Sequence, residues 1–346
     1  MRALQMVKWK SDPELVDVAQ PQPGPGQVVI EVGGAGACHS DMHLMYDFAP
    51  GLLPWGPPFT LGHENAGWVE ATGPGVRGVE AGEPVAVYGA WGCGRCRRCV
   101  AGLENYCERP ADVGPSGGLG RDGGMAPFMV VPQARWLVPL DGLDPADAAP
   151  LTDAGLTPYH AIKRSLPLLV PGASAVVIGI GGLGHLAVQI LSAVSSATII
   201  AVDQRADALA LARQVGADHA VDAGPDAAAQ IREVTGGRGA DVVIDLVGAD
   251  ATLALGASVV RPLGHLTIVG IAGGTLPVSF FSLSYEASVA TTYWGSLPEL
   301  IEVIALASSG RIRPQVRRFP LGQALDAYAA MRSGTLEGRA VIVPDL

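Results

Sequence analysis

The sequence lacks several features that would assign it to other classes of protein. No apolar run reaches the roughly 18–20 residues that a bilayer-spanning helix needs. The N-terminal segment has no apolar core followed by a small-residue cleavage site, so we expect no secretory signal and a cytoplasmic location. Positive charge is scarce, with 23 Lys and Arg against 33 Asp and Glu. A net charge of −10 argues against a nucleic-acid partner and against an anionic membrane surface.

Cysteine is rare, and its distribution is informative. Four of the five cysteines follow the spacing C-x₂-C-x₂-C-x₇-C, which we assign to a lobe at 92–108. In a reducing compartment such a cluster, in an odd total of five, indicates metal ligands before disulfides. Four thiolates close the tetrahedral shell of a structural zinc ion, and an iron–sulfur cluster is the alternative. The predicted structural ligands are Cys93, Cys96, Cys99 and Cys107.

The chain changes character near residue 150. Before it, Gly- and Pro-rich stretches separate short β-like runs at 27–32, 84–89 and 127–132, which predicts a mostly β domain. From Ala173 onward, near-continuous apolar runs alternate with helical stretches, as in a doubly wound parallel sheet. The predicted strands of this sheet are 175–180, 198–203, 219–223, 241–248, 265–271 and 288–295. The predicted helices are 182–195, 205–215, 225–235 and 250–260, then 297–309 and 321–332 in the tail, before a final strand at RAVIVP. The expected class is therefore α/β, and the length of 346 residues suggests two domains.

A glycine-rich turn follows the first strand of the predicted sheet. GIGGLG leads from that strand into a helix, and Asp203 ends the next strand 19 residues after Gly184. This is the context of a Rossmann dinucleotide site, in which the helix N-terminus holds a pyrophosphate and the acid binds a ribose. A structural turn with a helix-capping aspartate is the alternative. The predicted cofactor contacts are Gly179, Gly181, Gly182, Leu183, Gly184, Asp203 and Arg205.

The same acid predicts which coenzyme is used. A carboxylate at the ribose accepts hydrogen bonds from a 2′-hydroxyl and repels a 2′-phosphate, so Asp203 favours NAD over NADP. Arg205 argues in the other direction, because an arginine nearby can hold a 2′-phosphate. We rank Asp203 above Arg205 because it stands at the ribose position itself.

A second, catalytic metal site needs ligands that are scattered along the chain. Cys38, His63 and Asp153 are candidate ligands, and Glu64 could join transiently. Three protein ligands leave a coordination position open for a substrate, as catalytic zinc requires. On composition alone, a lone buried cysteine or histidine is more often a packing residue.

These motifs, taken in order, resemble a known family. The segment GHENAGWVEATGPGV (62–76) looks like the signature of zinc-containing medium-chain alcohol dehydrogenases, and CHSDMH, the cysteine lobe, GIGGLG and Asp203 fall in that family's order. The likeness covers essentially the whole chain and is strongest to bacterial secondary-alcohol dehydrogenases of actinobacterial type. It implies a GroES-like catalytic domain, a Rossmann domain, NAD and two Zn²⁺ per chain. Asp153 stands where the family more often has cysteine.

The resemblance also implies roles around the metal. Ser40 would touch the substrate hydroxyl and His43 would pass the proton to solvent, while Asp41 would orient the histidine ligand. The alternatives are a helix N-cap for Ser40, an exposed histidine for His43 and a first-turn helix acid for Asp41. His39 and Arg339 match positions near the pyrophosphate.

The sequence says least about the substrate pocket. By resemblance, five apolar or aromatic residues lie near a cleft between domains, although core packing explains each equally well. They are Trp55, Leu119, Ile271, Tyr293 and Trp294. Bulky aromatics beside the zinc would favour secondary alcohols and ketones, with stereoselectivity.

The sequence therefore predicts a zinc-dependent oxidoreductase that transfers a hydride between NAD and an alcohol or ketone. We assign a catalytic domain to 1–152 and 294–346 and an NAD-binding domain to 153–293, and expect a homo-oligomer, either dimer or tetramer. The alternatives are a polyol, amino-alcohol or aldehyde dehydrogenase of the same fold, or a zinc-stabilised dinucleotide-binding protein without catalysis.

Overall fold

The computed structural model describes residues 1–344. Its strands, in chain order, are β1 Arg2–Met6, β2 Glu14–Asp17, β3 Val28–Gly36, β4 Phe59–Thr60, β5 Glu64–Thr72, β6 Pro84–Val87, β7 Ser116–Gly117, β8 Gly120–Arg121, β9 Phe128–Val131, β10 Leu137–Pro139, β11 Ser174–Ile178, β12 Thr198–Asp203, β13 His219–Asp222, β14 Ala240–Asp245, β15 Val260–Ile268, β16 Ser288–Thr291, β17 Val316–Pro320 and β18 Arg339–Val343.

The α-helices are α1 His39–Met42, α2 Arg97–Val100, α3 Pro145–Ala148, α4 Leu156–Ser165, α5 Gly184–Val194, α6 Ala206–Gln214, α7 Ala227–Val234, α8 Asp250–Val259, α9 Leu297–Ser308 and α10 Ala324–Arg332. A π-helix, His43–Asp47, follows α1 directly. Short 3₁₀ turns lie at Glu104–Tyr106, Pro110–Asp112, Ala134–Trp136, Ala149–Thr152, Leu166–Leu168 and Leu321–Gln323. Within residues 1–344, none of the helices combines the length and apolar character that crossing a membrane requires.

The chain divides into two compact units. The first comprises residues 1–156, 295–308 and 314–346, and the second comprises residues 157–294 and 309–313. The sequence-based assignment of a catalytic domain to 1–152 and 294–346 and an NAD-binding domain to 153–293 stays a prediction. Asp345 and Leu346, at the end of that range, lie outside the described residues.

The first unit is built on a seven-stranded sheet. Its strand order is β10-β6-β5-β3-β18-β17, with β9 also paired to β3. The predicted runs at 27–32, 84–89 and 127–132 all form strands of this sheet. β3 extends beyond the predicted end through a glycine-rich stretch. Glycine is needed at Gly36, because a Cβ there would lie 1.9 Å from Glu64 Oε2. A three-stranded sheet, β2-β1-β4, and the small pair β7-β8 complete the unit.

The second unit is a doubly wound parallel sheet, which confirms the predicted fold class. Its order is β13-β12-β11-β14-β15-β16, and every neighbouring pair is parallel. β11 and β14 are buried along their whole length, as expected for strands covered on both faces. The core includes Val176, Ile200 and Val243. The order of the strands reverses beside β11, which is where ligands bind in sheets of this kind.

Candidate active site

Four potential metal ligands meet within the first unit. Cys38 follows β3 and His63 precedes β5, and the antiparallel register of these strands sets Gly36 opposite Glu64. One ligand atom each from Cys38, His63, Glu64 and Asp153 lies within 4.8 Å of all the others. Zinc bonds of about 2.0–2.3 Å hold four ligand atoms at comparable separations, so one ion fits this group. The structure thus brings together all the ligands proposed for the catalytic site.

Asp41 is fully buried and connects two of these ligands. Its Oδ2 accepts the backbone N–H of Cys38 at 2.9 Å, and its Oδ1 lies 3.1 Å from Nδ1 of His63. Although burial alone would lower the pKa of His63, Asp41 and Asp153 raise it well above its ordinary value. Asp41 therefore orients the ring so that Nε2, 3.5 Å from Asp153 Oδ2, faces the other ligands.

Tyr328 completes the surroundings of Asp41, and no sequence pattern pointed to it. Its hydroxyl donates to Asp41 Oδ2 at 2.9 Å, and its side chain is 1% exposed. Burial and the nearby carboxylate raise the phenol pKa well above 10, so the hydroxyl keeps its proton and donates. Tyr328 lies on α10, 287 residues from Asp41, so only the tertiary fold could reveal the contact.

Glu64, one of the four residues of the metal group, forms an ion pair with Arg339. Arg339 Nε donates to Glu64 Oε2 at 3.0 Å, and Nη2 donates to Oε1. Burial raises the pKa of Glu64 to about 7, and Arg339 partly opposes that rise. Arg339 was predicted to contact a pyrophosphate; its side chain is 3% exposed and is held by Glu64 in this structure. His39, predicted for the same role, is exposed.

Ser40 and His43 lie on the short helix after β3. The N-cap of α1 is Cys38, so the alternative reading of Ser40 as the N-cap is wrong. Ser40 Oγ lies 3.6 Å from Cys38 Sγ, next to the metal group. His43 begins the π-helix, and its Nδ1 lies 2.5 Å from Asp47 Oδ2.

The cysteine lobe forms a separate ligand set. The four sulfurs of Cys93, Cys96, Cys99 and Cys107 lie within 4.8 Å of one another. Backbone N–H groups of Cys99 and Glu108 point at Cys96 Sγ and lower the pKa of this thiol to about 6. Burial, in contrast, raises the pKa of the Cys99 thiol to about 12, so the number and closeness of the sulfurs, and not their pKa values, fit the lobe to a closed structural site. Arg135 anchors the lobe by donating to Gly92 O at 2.8 Å and to Glu104.

The glycine-rich turn after β11 has the geometry of a phosphate cradle. Gly179 has φ +91°, which favours glycine, and a Cβ on Gly184 would lie 2.0 Å from Gly179 O. A Cβ on Gly181 would meet no atom within 4 Å, so this position is open toward a ligand. The turn continues through Gly182 and Leu183 into α5, whose N-terminal residues have no side-chain cap. These features fit a dinucleotide pyrophosphate.

Asp203 lies at the end of β12, beside this turn. Its Oδ2 accepts Ile180 N–H at 2.7 Å, and its Oδ1 accepts Arg205 N–H at 2.9 Å. Arg205 Nε lies 3.7 Å from the same carboxylate. Each carboxylate oxygen has a second lone pair, so Asp203 can still accept a ribose hydroxyl.

The predicted pocket residues occur in both units. In the first unit, Trp55 packs over Gly120, next to Leu119, and the neighbouring Gly118 packs on the Gly62–His63 backbone. In the second unit, Ile271 and Tyr293 are more than half exposed, whereas Trp294 is 5% exposed.

Comparisons with known proteins agree over the whole chain. The model described as alcohol dehydrogenase GroES-like domain matches residues 24–142, and zinc-binding dehydrogenase matches residues 182–309. An NAD-dependent alcohol dehydrogenase of Sulfurisphaera tokodaii is 36% identical over 99% of this chain and 100% of its own. A D-arabinose 1-dehydrogenase (NADP(+)) of Saccharolobus solfataricus is 34% identical over 99% of this chain and 97% of its own. The crystal structure of the alcohol dehydrogenase from Aeropyrum pernix has a TM-score of 0.92 at 37% identity, covering 99% of this chain and all of that one.

Proposed function

The chain belongs to the zinc-dependent alcohol dehydrogenase family and is an NAD-dependent oxidoreductase, and we propose that it converts secondary alcohols to ketones with stereoselectivity. The observation that carries this proposal is the convergence of Cys38, His63 and Asp153, backed by Asp41, in one unit. In the overall reaction, the alcohol loses a hydride from carbon to NAD⁺ and a proton from oxygen, which yields ketone, NADH and H⁺. The reverse reaction reduces ketones.

The chain's residues have distinct tasks in this reaction. Cys38, His63 and Asp153 would hold the catalytic zinc, and the cysteine lobe would hold a second. When bound, zinc supplies a Lewis acid toward the alcohol oxygen and NAD supplies the hydride acceptor. Ser40, beside Cys38, receives the hydroxyl proton, and His43 passes it outward. Glu64 is held by Arg339 at the edge of the ligand group, from which it could exchange with a water ligand.

Recognition of the coenzyme depends on the second unit. We propose that Gly179, Gly181 and Gly184 admit the pyrophosphate and that Asp203 accepts the ribose hydroxyls. The carboxylate would repel a 2′-phosphate, so NAD is the preferred coenzyme. Because one relative is named as using NADP(+), the preference should be measured. A kcat/KM with NADP equal to that with NAD would contradict it.

The substrate preference rests on the resemblance, which sets Trp55 beside the metal group. There Trp55 would narrow the space for the substrate, which favours one small and one large substituent on the reacting carbon. We also infer, from the resemblance alone, that Ile271, Tyr293 and Trp294 contribute to the pocket. The narrower likeness to actinobacterial secondary-alcohol dehydrogenases stays a prediction.

A substrate panel tests this preference. Rates with NAD would be compared across primary alcohols, secondary alcohols and aldoses, because one relative is named as a D-arabinose dehydrogenase. We expect the highest kcat/KM with secondary alcohols, and Trp55→Ala should extend activity to bulkier ones. Trp68→Ala is the matched control, because Trp68 lies on β5 and is 36% exposed. Faster oxidation of aldoses than of secondary alcohols would favour the sugar dehydrogenase alternative.

We also propose that the protein forms a homodimer through the second unit. β16 is the edge of the parallel sheet, so one side of its backbone is unpaired. The preceding segment exposes Phe280, Phe281 and Tyr285, whose rings contact one another, and residues 275–292 include a single charged residue, Glu286. Antiparallel pairing of two identical edge strands is two-fold symmetric, so a second copy fits this uncharged surface.

The oligomeric state can be measured by light scattering after size exclusion. Phe281→Asp should give a monomer, whereas Val100→Asp should not, because Val100, also largely exposed at 74% against 90% for Phe281, lies in the cysteine lobe. A monomeric parent protein would refute the proposal. We also propose a cytoplasmic location, because all five cysteines are free and the thiols of two metal sites suit a reducing compartment. Cell fractionation would test this location.

A further inference from the structure

The helix that carries Ser40 changes its winding at His43. α1 ends at Met42, and the π-helix His43–Asp47 follows, with Phe48 N–H donating to His43 O at 3.0 Å. Residues 43 and 47 are four apart, a spacing at which side chains meet on one helix face, and their Nδ1 and Oδ2 lie 2.5 Å apart. Single π-turns occur frequently at functional sites, where they place a side chain that a regular helix would point elsewhere.

The contact with Asp47 determines which nitrogen of His43 carries the proton. A carboxylate can only accept a hydrogen bond, so Nδ1 must donate. In a neutral imidazole the other nitrogen, Nε2, then has a free lone pair. The ring also stacks on Phe48, with centroids 6.4 Å apart and planes 22° apart. Two contacts therefore fix the tautomer and the orientation of the ring.

Exposure increases from Cys38 through His43 to Asp47. Cys38 is 6% exposed, the His43 side chain is 23% exposed and the Asp47 side chain is 61% exposed. Ser40 lies beside the sulfur of Cys38 at the buried end. The sequence of polar groups thus leads from the metal ligands to solvent, which is the direction in which a proton released by an alcohol must travel.

We propose that Asp47 is a positioning residue that holds His43 in the Nδ1–H tautomer, so that Nε2 receives the proton of the alcohol. The inference rests on the function proposed above. The proton leaves the substrate oxygen through the Ser40 hydroxyl and binds Nε2. The ring then carries two protons and a positive charge beside the Asp47 carboxylate, and water removes one proton at the exposed edge.

Other charged groups lie near this helix. His39 lies one turn before His43 and interacts electrostatically with it, with Arg339 and with Asp41. On the far side of the π-helix, Tyr46 donates to Asp12 and accepts from Arg332 Nη1 at 2.6 Å. Asp12 therefore offers a matched control, because it holds the same π-helix without contacting the His43 ring.

Nitrogen NMR of the zinc-loaded full-length protein, labelled with ¹⁵N-histidine, tests the tautomer directly. His43→Gln assigns the signals of this ring among the seven histidines. We expect a protonated Nδ1 and an unprotonated Nε2 in the parent protein and in Asp12→Asn. Asp47→Ala should lose this pattern. An unchanged pattern in Asp47→Ala, or the same loss in Asp12→Asn, would overturn the inference.

Kinetics test whether the tautomer matters for the reaction. Asp47→Ala should lower kcat about 10-fold without changing KM for the alcohol, by analogy with the roughly 10–100-fold losses that follow removal of the partner of a metal-binding histidine. Asp47→Asn keeps an acceptor oxygen and should recover part of kcat. Unchanged kcat in Asp47→Ala would contradict the proposed role. A parent protein inactive on every alcohol would refute the proposed function instead, and the NMR pattern would still decide the tautomer.

Discussion

Tyr328 is distant in sequence from every residue predicted to be catalytic. Tyr328→Phe removes only its hydroxyl oxygen, and we expect this change to weaken the catalytic zinc site. In the structure, Asp41 accepts hydrogen bonds from Cys38 N–H and Tyr328 O–H, and its other oxygen faces His63. The phenylalanine variant keeps the ring and its packing. It leaves the buried carboxylate with one donor fewer, so Asp41 is held less firmly against the two metal ligands.

The size of this effect follows from the kind of bond that is lost. A hydrogen bond to a charged group contributes about 1.5–3 kcal/mol. Because about 1.4 kcal/mol corresponds to a tenfold change in an equilibrium constant, the zinc affinity of this site should fall by about 10–100-fold. Changes of this size are also typical when an outer partner of a metal-binding histidine is removed.

Competition with a zinc chelator measures the affinity, and the cysteine lobe serves as an internal reference. Tyr328→Phe should release one zinc per chain at lower chelator concentration, while the second stays as tightly bound as in the parent protein. Tyr88→Phe is the matched control: Tyr88 is equally buried, but its hydroxyl donates to the neutral Gly295 O at 2.8 Å. Parental affinity at both sites in Tyr328→Phe would refute the reasoning.

Three further predictions concern the coenzyme, the buried ion pair and the cysteine lobe. Asp203→Asn should lower kcat/KM for NAD about 10-fold and reduce the preference over NADP, in steady-state assays; a preserved preference would count against Asp203. Arg339→Ala should lower the free energy of unfolding by about 3–5 kcal/mol in urea titrations, because it strands the buried Glu64 carboxylate, and adding Glu64→Gln should restore part of the loss. If the double variant Arg339→Ala, Glu64→Gln is no more stable than Arg339→Ala, the stranded carboxylate is not the cause of the loss. Cys96→Ser should leave one zinc per chain and a lower Tm, and two retained zincs would contradict a four-cysteine site.

Much of the fold could be predicted because the decisive patterns are local. The apolar runs of the second unit predict its strands, and GIGGLG predicts the turn after β11. The ends of the last strands were less accurate: β15 begins at Val260, before Pro262 and Gly264, and ends at Ile268. The early start pairs Val260 with Ala240, ahead of a register shift between Ala240 and Val242 that sequence alone does not show.

The surroundings of the metal group could be predicted only in part. The ligands carry recognisable motifs, but their supporting contacts join residues that are far apart in the chain. Tyr328 meets Asp41 across 287 residues, and Arg339 meets Glu64 across 275. Neither partner has a local periodicity that indicates the contact. Asp47, in contrast, lies four residues after His43, the usual spacing for a contact on one helix face, so this pair could have been found from the sequence.

The most direct test of the central claim is the rate of NAD reduction with a secondary alcohol, measured on the zinc-loaded protein and on Cys38→Ala. The parent protein should turn over, and the variant should lose at least about 100-fold in kcat/KM, because it loses a ligand of a site that contributes several kcal/mol of charge stabilisation. The zinc of the cysteine lobe should remain bound in the variant. Undiminished turnover of Cys38→Ala would contradict the assignment of the reaction to this site.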